Sequence, residues 1–589
     1  MRGSRWAISA VAVNAILATI SQANTNSCIG STDGFWDEAR IWSLNKPPSI
    51  RESAILITND ASETVTIDST TATHFKNTLT ISNLVIAPPP GSTDVLYLDN
   101  TGTIALHILD GLTIGVLPPI NPPVGGSELI GTNSTLIVDG LLGGQLEDDG
   151  TMVITGGSLI TTNCTLQVAT TFFYGLLIIS NSVVQARDVG IASGVDTIGT
   201  IELIGGTMTL SSSLIVGNGD EYSQGSMLVA NASLVVTNGG IGIGGGGSYG
   251  IMTLTNATVL ASGMGLGGNR GGGNLYIESS SVKLAGGLTL DEGEVSFNGG
   301  IVVVTNGPTA LGEYTGGGAI TVEDGSFLAR EIIIGTEFQS SGELTINGGT
   351  TQLSSYLQIG SGSPYNEDGG DVSVNGGQLI ITNGEIIVQT ESSVIVTGGL
   401  LAANYIDLNS GYIGTGSLSI NGGSVTASTG ITLGDCANNA FGYVTVDGGQ
   451  VIVTNASHTG FVDVRNGQFV LSSGVVHIDK LVMTNSCSQF IHTGGTLIVG
   501  SVVLDPNAFQ IVSVTPQGKD ILISWLMAPG STNALQVSSG GSHGSYNTNG
   551  FSDIFIVTNN TTAGSVTNYL DIGGATNKPS RYYRARLAP

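Results

Sequence analysis

The sequence predicts an all-β chain, a parallel β-helix of about 24-residue coils followed by a small C-terminal β-sandwich. Three observations carry this expectation. Glycine supplies 89 of 589 residues, about twice ordinary usage. A short β-like run ending in Gly-Gly occurs nine times, with first glycines Gly156, Gly205, Gly299, Gly348, Gly376, Gly398, Gly422, Gly448 and Gly494; the gaps approximate whole multiples of about 24 residues. Within each run, apolar and polar residues alternate with period two, the pattern of a strand with one buried face.

The alternation names the core. Four residues before each doublet stand Met152, Ile201, Val295, Leu344, Val372, Val394, Leu418, Val444 and Phe490. Two residues before stand Ile154, Leu203, Phe297, Ile346, Val374, Val396, Ile420, Val446 and His492. Only His492 breaks the apolar set. Degenerate copies such as Met227–Asn231, Met252–Asn256, Leu275–Glu278 and Val462–Arg465 fill the missing places. A unit of about 24 residues is too short for a four-stranded propeller blade, and leucine-rich spacing is absent. Stacked coils remain, about 17 of them, each rising ~4.8 Å.

The corners explain the glycines, which turn at positive φ without penalty. The residue before the pair is Asn at 298, 347, 375 and 421, Asp at 447, and Thr at 155, 397 and 493. Stacked above one another, these side chains are expected to form a hydrogen-bonded ladder. Charged residues are only 10% of the chain, as expected where like charges would lie in register.

Runs such as Glu343-Leu-Thr-Ile-Asn-Gly-Gly349 and Ser417-Leu-Ser-Ile-Asn-Gly-Gly423, followed by segments of the type Leu357-Gln-Ile-Gly360, resemble the autotransporter-like β-strand repeat proteins of bacteria. The resemblance covers roughly 400 residues. It implies a right-handed β-helix that is exported and often displayed at the cell surface. No C-terminal outer-membrane barrel is visible in the sequence, a departure from true autotransporters.

The ends differ from the middle. Arg2 and Arg5, an apolar stretch from Trp6 to Ile20, and small residues at Ser21 and Ala23 read as a secretory signal peptide over residues 1–23. The mature chain is then expected outside the cytoplasm, secreted or at the cell surface. No later stretch is long and apolar enough to span a membrane. Residues 24–52 carry Trp36 and Trp42, expected to cap the first coil rather than to stack on sugars. The β-helix is assigned to 53–505. Past Pro506 the period stops, and short alternating strands over 506–589 suggest a sandwich that looks like fibronectin-III or immunoglobulin modules. There Arg581, Arg584 and Arg586 are expected on a solvated strand face. Cys28, Cys164, Cys436 and Cys487 are so dispersed that buried, mostly unpaired thiols are expected.

Little in the sequence carries chemistry. Lys and Arg number 17 against 44 Asp and Glu, a net charge of −27, which makes nucleic acid a poor partner. Two G-x-S-x-G matches, at Gly246 and Gly540, lack the helix of a nucleophile elbow. A polysaccharide lyase or hydrolase is the enzymatic alternative, but Arg187, Arg270, Lys283, Arg330, Arg465 and Lys480 are scattered over many coils. No cofactor is implied. Acidic loops offer weak calcium candidates at Asp220, Glu221, Glu367, Asp368 and Asp371, without the spacing of a calcium repeat. The inter-coil loops are the favoured binding edge, where Tyr222, Tyr249, Phe338, Tyr365, Tyr412 and Phe441 would form an aromatic ridge for polysaccharide or cell-envelope partners. The functional expectation is a structural or adhesive β-solenoid.

Overall fold

Among the described residues strands account for 66% and helix for 4%, and parallel coils stack into a β-solenoid of about 18 turns. The computed structural model describes residues 24–589 except 90, 116–125, 141–142, 147–148, 171–172, 218, 220–221, 269, 313–315, 337–339, 362–368, 412, 485–486, 505–509, 528–531, 541–549, 561–564, 577–579 and 589. The chain divides into two compact units, 1–307 and 308–589.

In the first unit a coil consists of three short strands. Gln224–Ala230, Ser233–Val236 and Ile241–Ile243 make one coil. Tyr249–Thr255, Thr258–Ala261 and Met264–Leu266 make the next, and each pairs in parallel with its counterpart. The register places Met152, Leu177, Ile201, Met227, Met252, Leu275 and Val295 in one inward column, each 0–1% exposed. Burying each such side chain contributes about 1.5–3 kcal/mol.

The second unit repeats the scheme with Ser341–Ile346, Thr350–Leu353 and Leu357–Ile359 beneath Gly370–Val374, Gln378–Ile381 and Glu385–Val388. Its inward column runs Leu344, Val372, Val394, Leu418, Val444, Phe469, Phe490. All the apolar positions named from the sequence are buried in their units. His492 is only half-buried, so it is not sealed in the core as its position suggested.

The two glycines of a doublet answer two different demands. A Cβ on Gly398 would lie 2.4 Å from the Asn375 carbonyl oxygen of the preceding coil, and one on Gly376 would lie 2.2 Å from that of Asn347. The first glycine is therefore fixed by the approach of neighbouring backbones. The second takes the left-handed conformation, with φ of +54° at Gly377 and +66° at Gly399, where a Cβ is disfavoured. Of the expected ladder, a stretch over Asn347, Asn375 and Thr397 forms beside these corners. Asn347 Nδ2 donates to Glu323 Oε1 (2.9 Å), Asn375 Nδ2 to Asn347 Oδ1 (3.0 Å), and Thr397 Oγ1 to Asn375 Oδ1 (2.9 Å).

Corners in the first unit also use asparagine, at the ends of degenerate copies such as Met227–Asn231 and Met252–Asn256. Asn133, Asn181, Asn231 and Asn256 have φ between +45° and +50°, a region that asparagine tolerates better than most residues. Gly156 and Gly205 alternate with them. A Cβ on either glycine would lie 2.4 Å from the Asn133 or Asn181 side-chain oxygen.

At the N-terminal end Trp36 and Trp42 are 0–1% exposed and meet edge to face with centroids 5.2 Å apart. Trp36 Nε1 donates to the Thr78 carbonyl and Trp42 Nε1 to that of Trp36. Their faces are thus packed inward. Six strands of the second unit between Gln510 and Leu587 form two three-stranded antiparallel sheets, with a core of Ile523, Trp525, Met527 and Leu535.

Two sequence expectations are corrected. Cys436 and Cys487 form a disulfide, while Cys28 and Cys164 are buried and unbridged. The sequence separation of 51 hid a closeness that only two turns of the coil create. The three C-terminal arginines are engaged rather than simply solvated. Arg581 Nη2 donates to Asp571 Oδ1 (3.0 Å), Arg584 Nε to Gln536 Oε1 (2.6 Å) with its guanidinium 4.3 Å above the Phe551 ring, and Arg586 Nε to Asp553 Oδ1 (3.1 Å).

Gly398→Ala is expected to destabilise the fold by about 1–3 kcal/mol through backbone overpacking. Gly411→Ala, where an added Cβ meets nothing within 4 Å, is expected to stay within about 0.5 kcal/mol. Denaturant midpoints of the two variants check this.

Candidate functional site

The strand Ala440–Val453 begins after a short 3-10 turn, Cys436–Asn438, whose preceding residue Asp435 accepts from the Ala437 amide. Asn439 follows in the left-handed conformation, φ +53°, and reverses the chain. Phe441 then emerges 40% exposed. Its ring lies nearly parallel to that of Tyr443, 22° and 6.1 Å between centroids.

Parallel register extends the site onto the next two coils. Tyr443 pairs with Gln468, and Gln468 with Gln489. Gln468 Nε2 donates to Gln489 Oε1 at 2.9 Å. The Gln468 carbonyl oxygen and the Gln489 amide N–H groups then remain to serve an incoming ligand. Together with Phe441, Asn439 and Asn466 these amides line a cavity of about 300 Å³, closed on one side by the Cys436–Cys487 bridge. Among the described residues that line it, none carries an ionisable side chain. The chemistry on offer is an aromatic face beside neutral donors and acceptors.

Of the other ridge residues, the described Tyr249 and Tyr222 do not line this cavity. Tyr249, in the first unit, accepts from Asn274 Nδ2 at 2.5 Å, and Asn274 also reaches the Tyr276 hydroxyl at 3.1 Å. Both rings are 38% exposed, and burial pushes the Tyr249 hydroxyl above its ordinary value. Tyr222 is 78% exposed with φ +81°. Tyr365, Tyr412 and Phe338 lie outside the described residues, as do the calcium candidates Asp220, Glu221, Glu367 and Asp368. Asp371 is exposed and accepts from Ser393 Oγ at 2.5 Å. Among the described residues no group of three or more His, Cys, Asp or Glu is arranged to hold a metal ion.

The sequence pointed to Phe441 and missed its companions. Gln468 and Gln489 are the polar residues before the inward Phe469 and Phe490, so their signal was the same alternation that named the core.

Three of the six basic residues named from the sequence, Arg187, Arg330 and Arg465, are tied to acids beside them. Arg187 Nε lies 2.7 Å from Asp188, Arg465 Nε lies 2.8 Å from Asp463, and Arg330 pairs with Glu331. Near Arg465, burial raises the Asp407 carboxyl, but Asp407 accepts from the Ser410 amide and hydroxyl. Tyr405 donates to Thr432 Oγ1. These groups satisfy one another rather than facing an empty acid–base site.

Comparison of the chain with protein-family models, with curated proteins and with solved structures gives no match. The autotransporter-like and fibronectin-like resemblances therefore rest on their sequence patterns alone.

Replacing both bridge cysteines by serine is expected to destabilise the second unit by up to about 4 kcal/mol, the chain-entropy value for a loop of this length. It should also raise hydrogen exchange at residues 435–442. Urea denaturation and exchange mass spectrometry of the double variant check both.

Proposed function

We propose that the chain is an exported structural or adhesive β-solenoid that holds neutral glycans at the Phe441 pocket. The carrying observation is the pairing of an exposed, partly stacked ring with an amide-lined cavity whose described lining residues carry no ionisable side chain. A sugar ring presents C–H groups on one face and hydroxyls at its edge. The first suit an aromatic face, the second suit amides that can both donate and accept. The net charge of −27 disfavours polyanionic glycans by long-range repulsion. The signal-like segment supports export. The mutual pairing of Arg187, Arg330 and Arg465 with acids favours binding over lyase chemistry, which needs a base and charge stabilisation aimed at substrate.

A glycan array spanning neutral and acidic oligosaccharides tests this reading. Neutral oligosaccharides should bind, and Phe441→Ala should weaken binding about tenfold, ~1.4 kcal/mol. Tyr222→Ala should leave it unchanged. Binding confined to acidic glycans, or unaltered by Phe441→Ala, would overturn the proposal.

A further inference from the structure

One inward column of the first unit is reserved for small residues. It runs Ser127, Gly150, Gly175, Gly199, Gly225, Gly250, Gly273, Gly293 through successive coils. A Cβ at Gly225 or Gly250 would come within 2.2–2.3 Å of backbone. Yet the two coils before Ser127 place Glu63 and Asp94 in this column, as register partners on adjacent parallel strands. Both are sealed from solvent, at 3% and 0% exposure.

Asn59 links the two carboxyl groups. Its backbone N–H donates to Asp94 Oδ2 (3.0 Å), and its side-chain amide donates to Glu63 Oε1 (2.7 Å) and to the Gly30 carbonyl (2.6 Å). One oxygen of each carboxyl is thereby satisfied. The other two, Glu63 Oε2 and Asp94 Oδ1, are buried without a well-aligned hydrogen bond, the weak thiol donor of Cys28 interacting with the Glu63 carboxyl and the Glu63 backbone amide with that of Asp94. So is the hydroxyl of Ser127, the next residue in the column. Besides each other, the ionisable groups acting on the pair are Cys28 and Asp33. Neither is a cation. Two full negative charges one strand spacing apart, ~4.8 Å, would stand buried and uncompensated.

We propose that Glu63 and Asp94 hold a single proton between them, and that this proton is the ligand that keeps the first coils closed. A proton on either orphan oxygen turns an acceptor into a donor and removes one buried charge. The electrostatics agree. Burial, with Glu63 adding to it, pushes the Asp94 carboxyl up to about 6, and burial also raises Glu63. Burial and Glu63 hold the Cys28 thiol up at about 12, so it remains neutral. A carboxyl raised in the folded state stabilises the fold fully below its unfolded value, about 4. That contribution is lost as pH rises through about 6. Weakly acid surroundings close the N-terminal coils, and neutral or alkaline ones loosen them.

Hydrogen-exchange mass spectrometry of the full chain at pH 5.0 and 7.5, corrected for intrinsic exchange rates, tests the proposal. Peptides covering residues 55–67 should be protected at least tenfold more at the lower pH. Glu63→Gln supplies a permanent donor and removes one charge, so protection at pH 7.5 should match that at pH 5.0. Asp94→Asn should behave alike. Equal wild-type protection at the two pH values, or pH dependence that survives in folded Glu63→Gln, would overturn it. The wild-type comparison stands by itself should a variant fail to fold.

Discussion

Parallel hydrogen bonding between coils is the constraint on which the structure depends. It holds each residue ~4.8 Å from its counterpart, so every choice of side chain is made against a near copy of itself. Inside, Val, Ile, Leu and Met stack in columns and seal the interior. At the corners the backbones approach until a Cβ no longer fits, as between Gly398 and Asn375. Outside, identical or complementary amides bond from coil to coil, as from Asn347 to Asn375. The glycine content, the low charge and the asparagine ladder have this one physical cause.

Departures from the repeat carry the candidate functional features. The Phe441 pocket arises where a loop leaves the coil and a disulfide ties it two turns on. Without the bridge, the Cys436–Asn438 turn would have only its local contacts to hold it beside Gln468 and Gln489. The Glu63–Asp94 pair is a departure of the opposite kind, polar groups where the column otherwise admits glycine and serine. One modifies the outer surface of the second unit and the other the interior of the first.

Much of the fold was legible because a strand with one buried face writes period-two alternation directly into the sequence. The named positions from Met152 to Phe490 could be assigned inward without coordinates. The asparagine corners were legible only in part: Asn231 and Asn256 end degenerate copies of the repeat, but the left-handed conformation they share with Asn133 and Asn181 is not written in the alternation. The disulfide was illegible for a topological reason: spatial neighbours two coils apart lie about 50 residues apart in the chain. The site was legible only at Phe441, an aromatic residue in an inter-coil loop. Gln468 and Gln489 join it through strand register, and coil lengths vary too much for that register to be counted from the sequence.

The central claim is that equivalent residues stack along one direction within a unit, and electron paramagnetic resonance distances test it most directly. Spin labels at Thr345 paired with Thr445, Val470 or Ile491 sit four, five and six strands apart in the register of the second unit. Distances of about 19, 24 and 29 Å, rising by one strand spacing per coil, are the predicted result. Distances that fail to rise with each added coil, as in a hairpin-paired globule, would contradict the account.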